Sequence, residues 1–251
     1  SRVFLPDLVL VRAECRGVKP HEDYRNLLFG LEFAGVPSIN SLHSIYQCLD
    51  RPWVHAQLVR LNKLHGQERF PLIPTHYYPN AEEMLIGPEY PLVAKLGHAH
   101  AGGFSSRHPS AGYGKMKFAN ASEYTDFKGV VALTNTYCTA EPYIQGDYDL
   151  RIQKVGPNYR AFKRISTIGN WKTNQGNSSV VQIDMTERFQ FWADECAKYY
   201  SDSHYVSLFN GLDILSVDVL HSAADGKEYI LEVNGTASGF LPACKAEDHK
   251  V

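Results

Sequence analysis

Leu215-Ser216-Val217-Asp218-Val219-Leu220, then Ala224-Asp225-Gly226, then Tyr229-Ile230-Leu231-Glu232-Val233-Asn234 is the stretch on which the reading of this chain turns. Two β-prone runs flank turn residues, the pattern of a β-hairpin. A three-residue loop, Ala224 to Gly226 with Gly226 in the left-handed region, pairs 223 with 227 and hence Asp218 with Glu232. Strand side chains alternate, so Ser216, Asp218, Glu232 and Asn234 are expected on one face, and Val217, Val219, Leu231 and Val233 on the other. Like charges directly opposite repel. Facing carboxylates therefore call for a cation, and oxygen ligands suit Mg2+ or Ca2+. A solvated polar face on an amphipathic hairpin is the competing reading.

Working outward, Lys95 ends the apolar run Pro91-Leu92-Val93-Ala94-Lys95-Leu96, just before a stretch from Gly97 to Gly114 rich in Gly, Ala, Ser and His. The basic strand Lys115-Met116-Lys117-Phe118 follows, so a strand, loop, strand hairpin is expected. An inward lysine there needs an anion, and backbone N–H groups of the loop could cradle a phosphate. The loop lacks both the Walker A and the GxGxxG spacing, so a plain surface loop is the alternative. Asp149 to Val155 and Tyr159 to Ile165 read as another hairpin, with Arg151, Lys163, Arg164 and Lys172 on or near a solvated basic face. Gly169 to Ser179 reads as a mobile loop.

Nearer the start, Pro6 to Arg12 reads as a buried strand, a helical pattern through Tyr24, Leu27, Leu28 and Leu31 ends at Gly35, and Val36 to Asn40 is a second strand. This βαβ-like order implies parallel sheet. Asp50 as N-cap, Pro52 in the first turn and Gly66 as stop predict a helix over 51–65. A strand is expected over Phe70 to Ile73. The pairs Asn80/Glu83 and Asn120/Glu123 match a capping signature that opens helices, and Thr186 to Tyr200 has helical spacing.

The composition is that of an ordinary globular chain, 44% hydrophobic and 21% charged in 251 residues. A net charge of −2 gives no global pull toward nucleic acid or anionic membrane. Five widely spaced cysteines without a CxxC argue against a disulfide framework or a thiolate zinc site, and favour a reducing compartment. Neither a membrane span nor a signal peptide is read from the sequence, so a cytoplasmic protein is expected.

The set Asp218, Glu232 and Asn234 with a lysine before a Gly-rich loop resembles the ATP-grasp fold, in which two α+β subdomains grip ATP. Five further stretches in order resemble the synapsin central domain: Asn40 to Tyr46, Asp50 to Gln57, Lys95 to His100, Ala140 to Ile144 and Gly169 to Asn174. The resemblance implies an α/β chain: a truncated parallel-sheet pre-ATP-grasp part over 1–50 and an ATP-grasp domain over 51–251. That domain divides into a small lid-bearing part, 51–144, and a metal-ligand part, 145–251, with its C-terminus truncated.

By the same resemblance Arg51 and Lys95 would contact ATP phosphates, and Glu141, Pro142, Tyr143 and Ile144 would form the hinge for adenine and ribose. Arg151 would lie near the terminal phosphate and Lys172 would reach in from its loop. Asp218, Glu232 and Asn234 would hold Mg2+ or Ca2+. The implied protein is an ATP-regulated scaffold of the synaptic vesicle cycle, a homo-oligomer peripheral on the vesicle membrane and associated with the cytoskeleton. The chain departs from the family at Arg51, usually Lys, at Asp218, usually Glu, and at Asn234, usually apolar. The last two changes move toward ATP-grasp carboxylate–amine ligases of the glutathione synthetase class, in which Arg151 and Lys172 would stabilise phosphoryl transfer to an acyl phosphate. Gly102 to Ala111 and Tyr200 to Leu208 look like insertions, and Gly239 to Val251 does not resemble the family's end.

Overall fold

The structure is a computed structural model that describes residues 5–17, 22–85, 89–98, 114–167, 178–198 and 211–238. In chain order the elements are β1 (Val9–Leu10), α1 (Arg25–Phe33), β2 (Ser38–Ile39), α2 (Leu42–Gln47), α3 (Arg51–His65), β3 (His76–Tyr78), β4 (Leu92–Leu96), β5 (Lys115–Phe118), α4 (Ala121–Thr134), β6 (Cys138–Pro142), β7 (Gly146–Val155), β8 (Asn158–Ser166), β9 (Ser178–Ile183), α5 (Glu187–Ala197), β10 (Ile214–Ser222) and β11 (Glu228–Asn234). They form three sheets: a parallel pair β1-β2, an antiparallel sheet β3-β6-β4-β5, and an antiparallel sheet β11-β10-β7-β8-β9.

Each sheet has its own core. On the five-stranded sheet, Leu215, Val217, Val219, Leu150 and Ile152 pack against Trp192 and Phe189 of α5 and against Val54, Leu58 and Leu61 of α3. The helix α3 buries Val54, Gln57, Leu58 and Leu61, the i, i+3, i+4, i+7 stripe of an amphipathic helix. On the four-stranded sheet, Leu92, Ala94, Cys138 and Ala140 pack against Tyr124, Phe127 and Val131 of α4. A third cluster joins Leu28, Leu42, Ile45 and Leu49 to Val9 and Val11.

The capping signals divide. Asn120 accepts a hydrogen bond from Glu123 N at 3.1 Å and opens α4. Asn80 accepts the same bond from Glu83 N at 3.0 Å, but only a turn follows, not the expected helix. Asp50 precedes α3 where expected, yet its side chain makes no cap bond; its carboxylate is drawn to Arg16 and Tyr137 instead. A charged partner outcompetes a backbone amide for a carboxylate.

Two strand expectations and one loop expectation also shift. Pro6–Arg12 contributes only Val9–Leu10 to a ladder. Phe70–Ile73 is buried but is not a strand: Leu72 makes one isolated parallel bridge to Ile230, and Phe70 is wedged into the core by its bulk. The segment Gly169–Ser179 ends inside β9, and its remainder lies outside the described residues, as do the two insertions, Lys172 and residues 239–251. The helix α2 and the central strand β6 were not anticipated. The run Cys138-Thr139-Ala140-Glu141 is buried on both faces and shows no alternation to read.

The 215–234 hairpin reaches the expected pairing by a different route. Ser222 N bonds Lys227 O at 2.8 Å, so the loop has four residues, Ala223 to Gly226. Gly226 is left-handed at φ 67°. The register would then miss Asp218–Glu232 by one residue, but a bulge at Leu231 restores it: Val219 pairs with Ile230, and Asp218 with Glu232. In consequence Ile230, not Leu231, joins Val233 in the core.

Candidate nucleotide site

The two antiparallel sheets each turn one polar face toward the other. On the large sheet, cross-strand pairing puts Ser216, Asp218, Gln153, Arg151, Phe162 and Arg164 on the face opposite the core. Lys163, one residue earlier than Arg164, alternates to the other face, where its ammonium lies 3.7 Å from the Tyr148 ring centroid. The expected single basic face is therefore two.

The small sheet brings Lys95, Lys115, Thr139 and Glu141 to one face, since Lys95 pairs with both Lys115 and Thr139. Two like-charged pairs thus stand directly across strands: Asp218 opposite Glu232 on the large sheet, and Lys95 opposite Lys115 on the small one. Each arrangement is unfavourable without a counter-charge. The sheets supply part of it to one another, because Lys115 Nζ lies 3.7 Å from Glu232.

The remaining charges are exchanged locally. Lys95 Nζ donates to Glu141 Oε2 at 2.7 Å, and Thr75 Oγ1 reaches the same oxygen at 3.4 Å. Arg51, at the start of α3, pairs with Glu232. Arg151 grips Asp218 with two hydrogen bonds of 2.8 Å, and Asn234 Nδ2 donates to Asp218 Oδ2 at 3.1 Å. These side chains are only 11–19% exposed, Lys115 24%. Water screens them little, and direct pairing carries most of their compensation.

The electrostatic balance is uneven. Burial works to raise the Asp218 carboxyl, but Arg151, Arg164 and Arg51 outweigh it and hold Asp218 below its ordinary value. Lys115 is pushed well below an ordinary lysine, first by burial and then by Arg51 and Lys95, with Glu141 and Asp218 opposing. Burial also lowers Arg51 and His55, the latter further lowered by Lys95. Burial is thus the main cost on the basic half of the cleft, and a polyanion placed there would offset it.

Pro142, Tyr143 and Ile144 fall where β6 leaves the small sheet and the chain enters β7 of the large one. Tyr143 N is anchored to Pro91 O at 2.8 Å, and Lys117 Nζ sits 3.4 Å from the centre of the Tyr143 ring. Glu141 lies inside the cleft as the partner of Lys95. A narrow cavity of about 30 Å³ under the charged cluster is lined by Arg51, His55, Thr75, Lys95, Glu141 and Leu231, the bulged residue, among others. Sequence reasoning brought together Arg51, Lys95, Glu141, Arg151, Asp218, Glu232 and Asn234; it left out Lys115, Arg164 and Thr139. The signal for Lys115 was present in the alternation of Lys115 and Lys117 beside the strand of Lys95.

The donor set of Asp218, Glu232 and Asn234 has the oxygen chemistry of a Mg2+ or Ca2+ site. No group of three or more His, Cys, Asp or Glu among the described residues is arranged to hold a metal unaided. Both carboxylates are held by guanidinium groups.

Comparison with known proteins identifies the family and the fold. Residues 40–251 match the family described as the synapsin ATP binding domain, and residues 1–38 match the synapsin pre-ATP-grasp domain. A synapsin of Drosophila melanogaster is 38% identical over 254 residues, covering all of this chain; the chain spans 23% of that protein's length. D-alanine–D-alanine ligase from Bacillus anthracis complexed with ATP superposes with a TM-score of 0.61 at 16% identity, over 98% of this chain and 73% of the ligase. The VanG D-Ala:D-Ser ligase from Enterococcus faecalis gives 0.58 at 19% identity, over 95% and 66%. These two likenesses identify the fold as ATP-grasp. No helix among the described residues is long and apolar enough to cross a membrane.

Proposed function

The chain belongs to the synapsin family, and from that premise we propose that it binds ATP together with a divalent ion between the two antiparallel sheets. The observation that carries the reading is the opposition of two like-charged cross-strand pairs, Lys95/Lys115 against Asp218/Glu232. Phosphates answer the lysines, and a hard cation answers the carboxylates. Arg51, Lys95, Lys115 and Arg151 take phosphate oxygens, Lys172, outside the described residues, is proposed to join them, and the segment Glu141 to Ile144 borders the adenosine. Asp218, Glu232 and Asn234 hold Mg2+ or Ca2+, which neutralises phosphate charge when bound.

On this reading ATP regulates assembly and is not consumed. The chain acts as a homo-oligomeric scaffold, cytoplasmic and peripheral on the synaptic vesicle, which tethers vesicles to one another and to the cytoskeleton and so tunes neurotransmitter release. The division at residue 50, with 51–144 as the small part and 145–251 as the metal-ligand part, belongs to the same proposal.

A second reading rests on one contact. Asn234 supports Asp218 through its amide, so this chain carries an acid, acid, amide trio like that of the ATP-grasp ligases, and an acyl phosphate formed with help from Arg151 and Lys172 is its chemistry. Fold likeness does not choose a reaction. Amine-dependent ADP production identifies the ligase; ATP binding without turnover identifies the scaffold.

The deciding experiment is thermal unfolding with and without ATP, in Mg2+, Ca2+ and chelator, for the wild type and an Asp218→Asn/Glu232→Gln variant. ATP at 100 times its dissociation constant stabilises by about 2.7 kcal/mol, a shift of roughly 5–10 °C for a chain of this size. The metal-dependent part of the shift is expected to vanish in the variant. A wild-type chain that unfolds cooperatively with no ATP-induced shift refutes the proposal.

A further inference from the structure

Asp50 stands one residue before Arg51, where the first subdomain, α3 and the small sheet meet through one carboxylate. Its Oδ1 accepts a hydrogen bond from Arg16 Nη1 at 2.6 Å. The same oxygen accepts one from the Tyr137 hydroxyl. Arg16 follows β1 in the first subdomain, and Tyr137 lies between α4 and β6 of the small sheet. Tyr137 reaches further: its carbonyl accepts from Gly97 N at 2.8 Å, where β4 leaves Lys95 behind. His98 lies in the electrostatic neighbourhood of the same Arg16–Asp50 pair.

An N-cap aspartate normally spends its carboxylate on its own helix. Asp50 does not, although α3 begins immediately after it and its carbonyl takes the first helical bonds, from Trp53 N at 3.0 Å and Val54 N at 3.1 Å. The cations of the site come from separate units, Arg51 from α3 and Lys95 and Lys115 from the small sheet. Nothing within either unit sets the distance between them. Glu232 of the large sheet, paired with both Arg51 and Lys115, ties the two units on one side; the carboxylate adjacent to Arg51, bonded to the residue that anchors Gly97, ties Arg51 to the Lys95 strand on the other. The side chains of Arg16 and Asp50 are 27% and 37% exposed, so the ion pair itself is partly screened; its geometric role is the larger one.

We propose that Arg16–Asp50–Tyr137 is an inter-subdomain latch, in which Asp50 and Tyr137 are positioning residues that hold Arg51 and the Lys95 strand at the separation a nucleotide's phosphates require. It rests on the ATP-binding reading for its ligand, and on the hydrogen bonds alone for its mechanics. Because the latch is made of the chain's own side chains and needs no ligand atom, it would preorganise the cleft and lower the ordering cost of binding.

The test compares the wild type with Tyr137→Phe, which removes one hydroxyl, with Arg16→Gln, and with the double variant. ATP affinity in the presence of Mg2+ is expected to fall about tenfold in Tyr137→Phe, the scale of one hydrogen bond to a charged acceptor. The double variant falls by less than the product of the singles, since both act through one oxygen. Amide hydrogen exchange without nucleotide is expected to quicken in Tyr137→Phe both at Gly97 and in the first turn of α3. A lower melting temperature with unchanged ATP affinity makes the contact a structural tether and overturns the positioning role. Additive losses in the double variant overturn the shared latch. If the wild type binds no ATP, the nucleotide reading fails, and exchange decides the latch: no change at Gly97 and in α3 overturns it.

Discussion

Replacing Asp218 by Asn keeps the shape of the side chain and removes its charge, and the structure says what that costs. Arg151 loses a bidentate partner at 2.8 and 2.8 Å, with the two side chains only 18% and 17% exposed. Arg164, whose main favourable charge interaction is with Asp218, loses it as well. Stripping one partner from a fully buried pair costs about 3–5 kcal/mol; the residual exposure here and the surviving amide contact reduce this to about 2–4 kcal/mol. For a chain of this length that lowers the unfolding midpoint by roughly 4–16 °C. The assay is thermal or urea unfolding of the ligand-free chain. Adding Arg151→Met removes the stranded guanidinium, so the double variant is expected to recover part of the loss. The reasoning is refuted if Asp218→Asn alone is neutral, or if Arg151→Met deepens the loss by its full single effect.

Lys115→Met is expected to leave the ligand-free chain as stable or more stable, because the cost of desolvating a cation beside Arg51 and Lys95 outweighs its 3.7 Å pairing with Glu232, while ATP affinity falls at least tenfold, about 1.4 kcal/mol; calorimetry on the same preparations measures both. Glu195, 3% exposed, bonds His65 at 2.8 Å and also pairs with Lys198. Burial opposes its ionisation, but those hydrogen bonds hold its carboxyl below the ordinary 4.5. Its stabilisation is therefore present above about pH 4.5 and lost as pH falls through the depressed folded value. Glu195→Gln should be less stable at pH 7 by about 2 kcal/mol and converge on the wild type in acid, which a pH series of unfolding midpoints tests. Asn120→Ala should cost about 1 kcal/mol by removing the cap of α4, read by urea unfolding; Asn80→Ala, with no helix behind it, should cost visibly less.

What could be read along the chain were features carried by neighbours in sequence. The boundaries of α3 follow from Pro52 in its first turn and Gly66 at its end, where φ is 79°. The 149–165 hairpin and α5 follow from alternation and spacing. The facing of Asp218 and Glu232 was legible too, although the four-residue loop and the bulge at Leu231 that together produce it were not. Local sequence sets alternation, but a bulge is placed by packing, here by Ile230 and Val233 both reaching the core.

Tertiary structure alone decided which charges meet. Nothing in the order of residues says that Lys115 stands near Glu232, that Glu141 turns into the cleft to hold Lys95, or that Asp50 abandons its helix for Arg16 and Tyr137. Those contacts join residues from 34 to 117 positions apart. Coulomb attraction depends on distance in space, which chain separation does not encode. The residue types of a phosphate and cation site were determined by the sequence; the pairing that makes them one site exists only once the two sheets face each other.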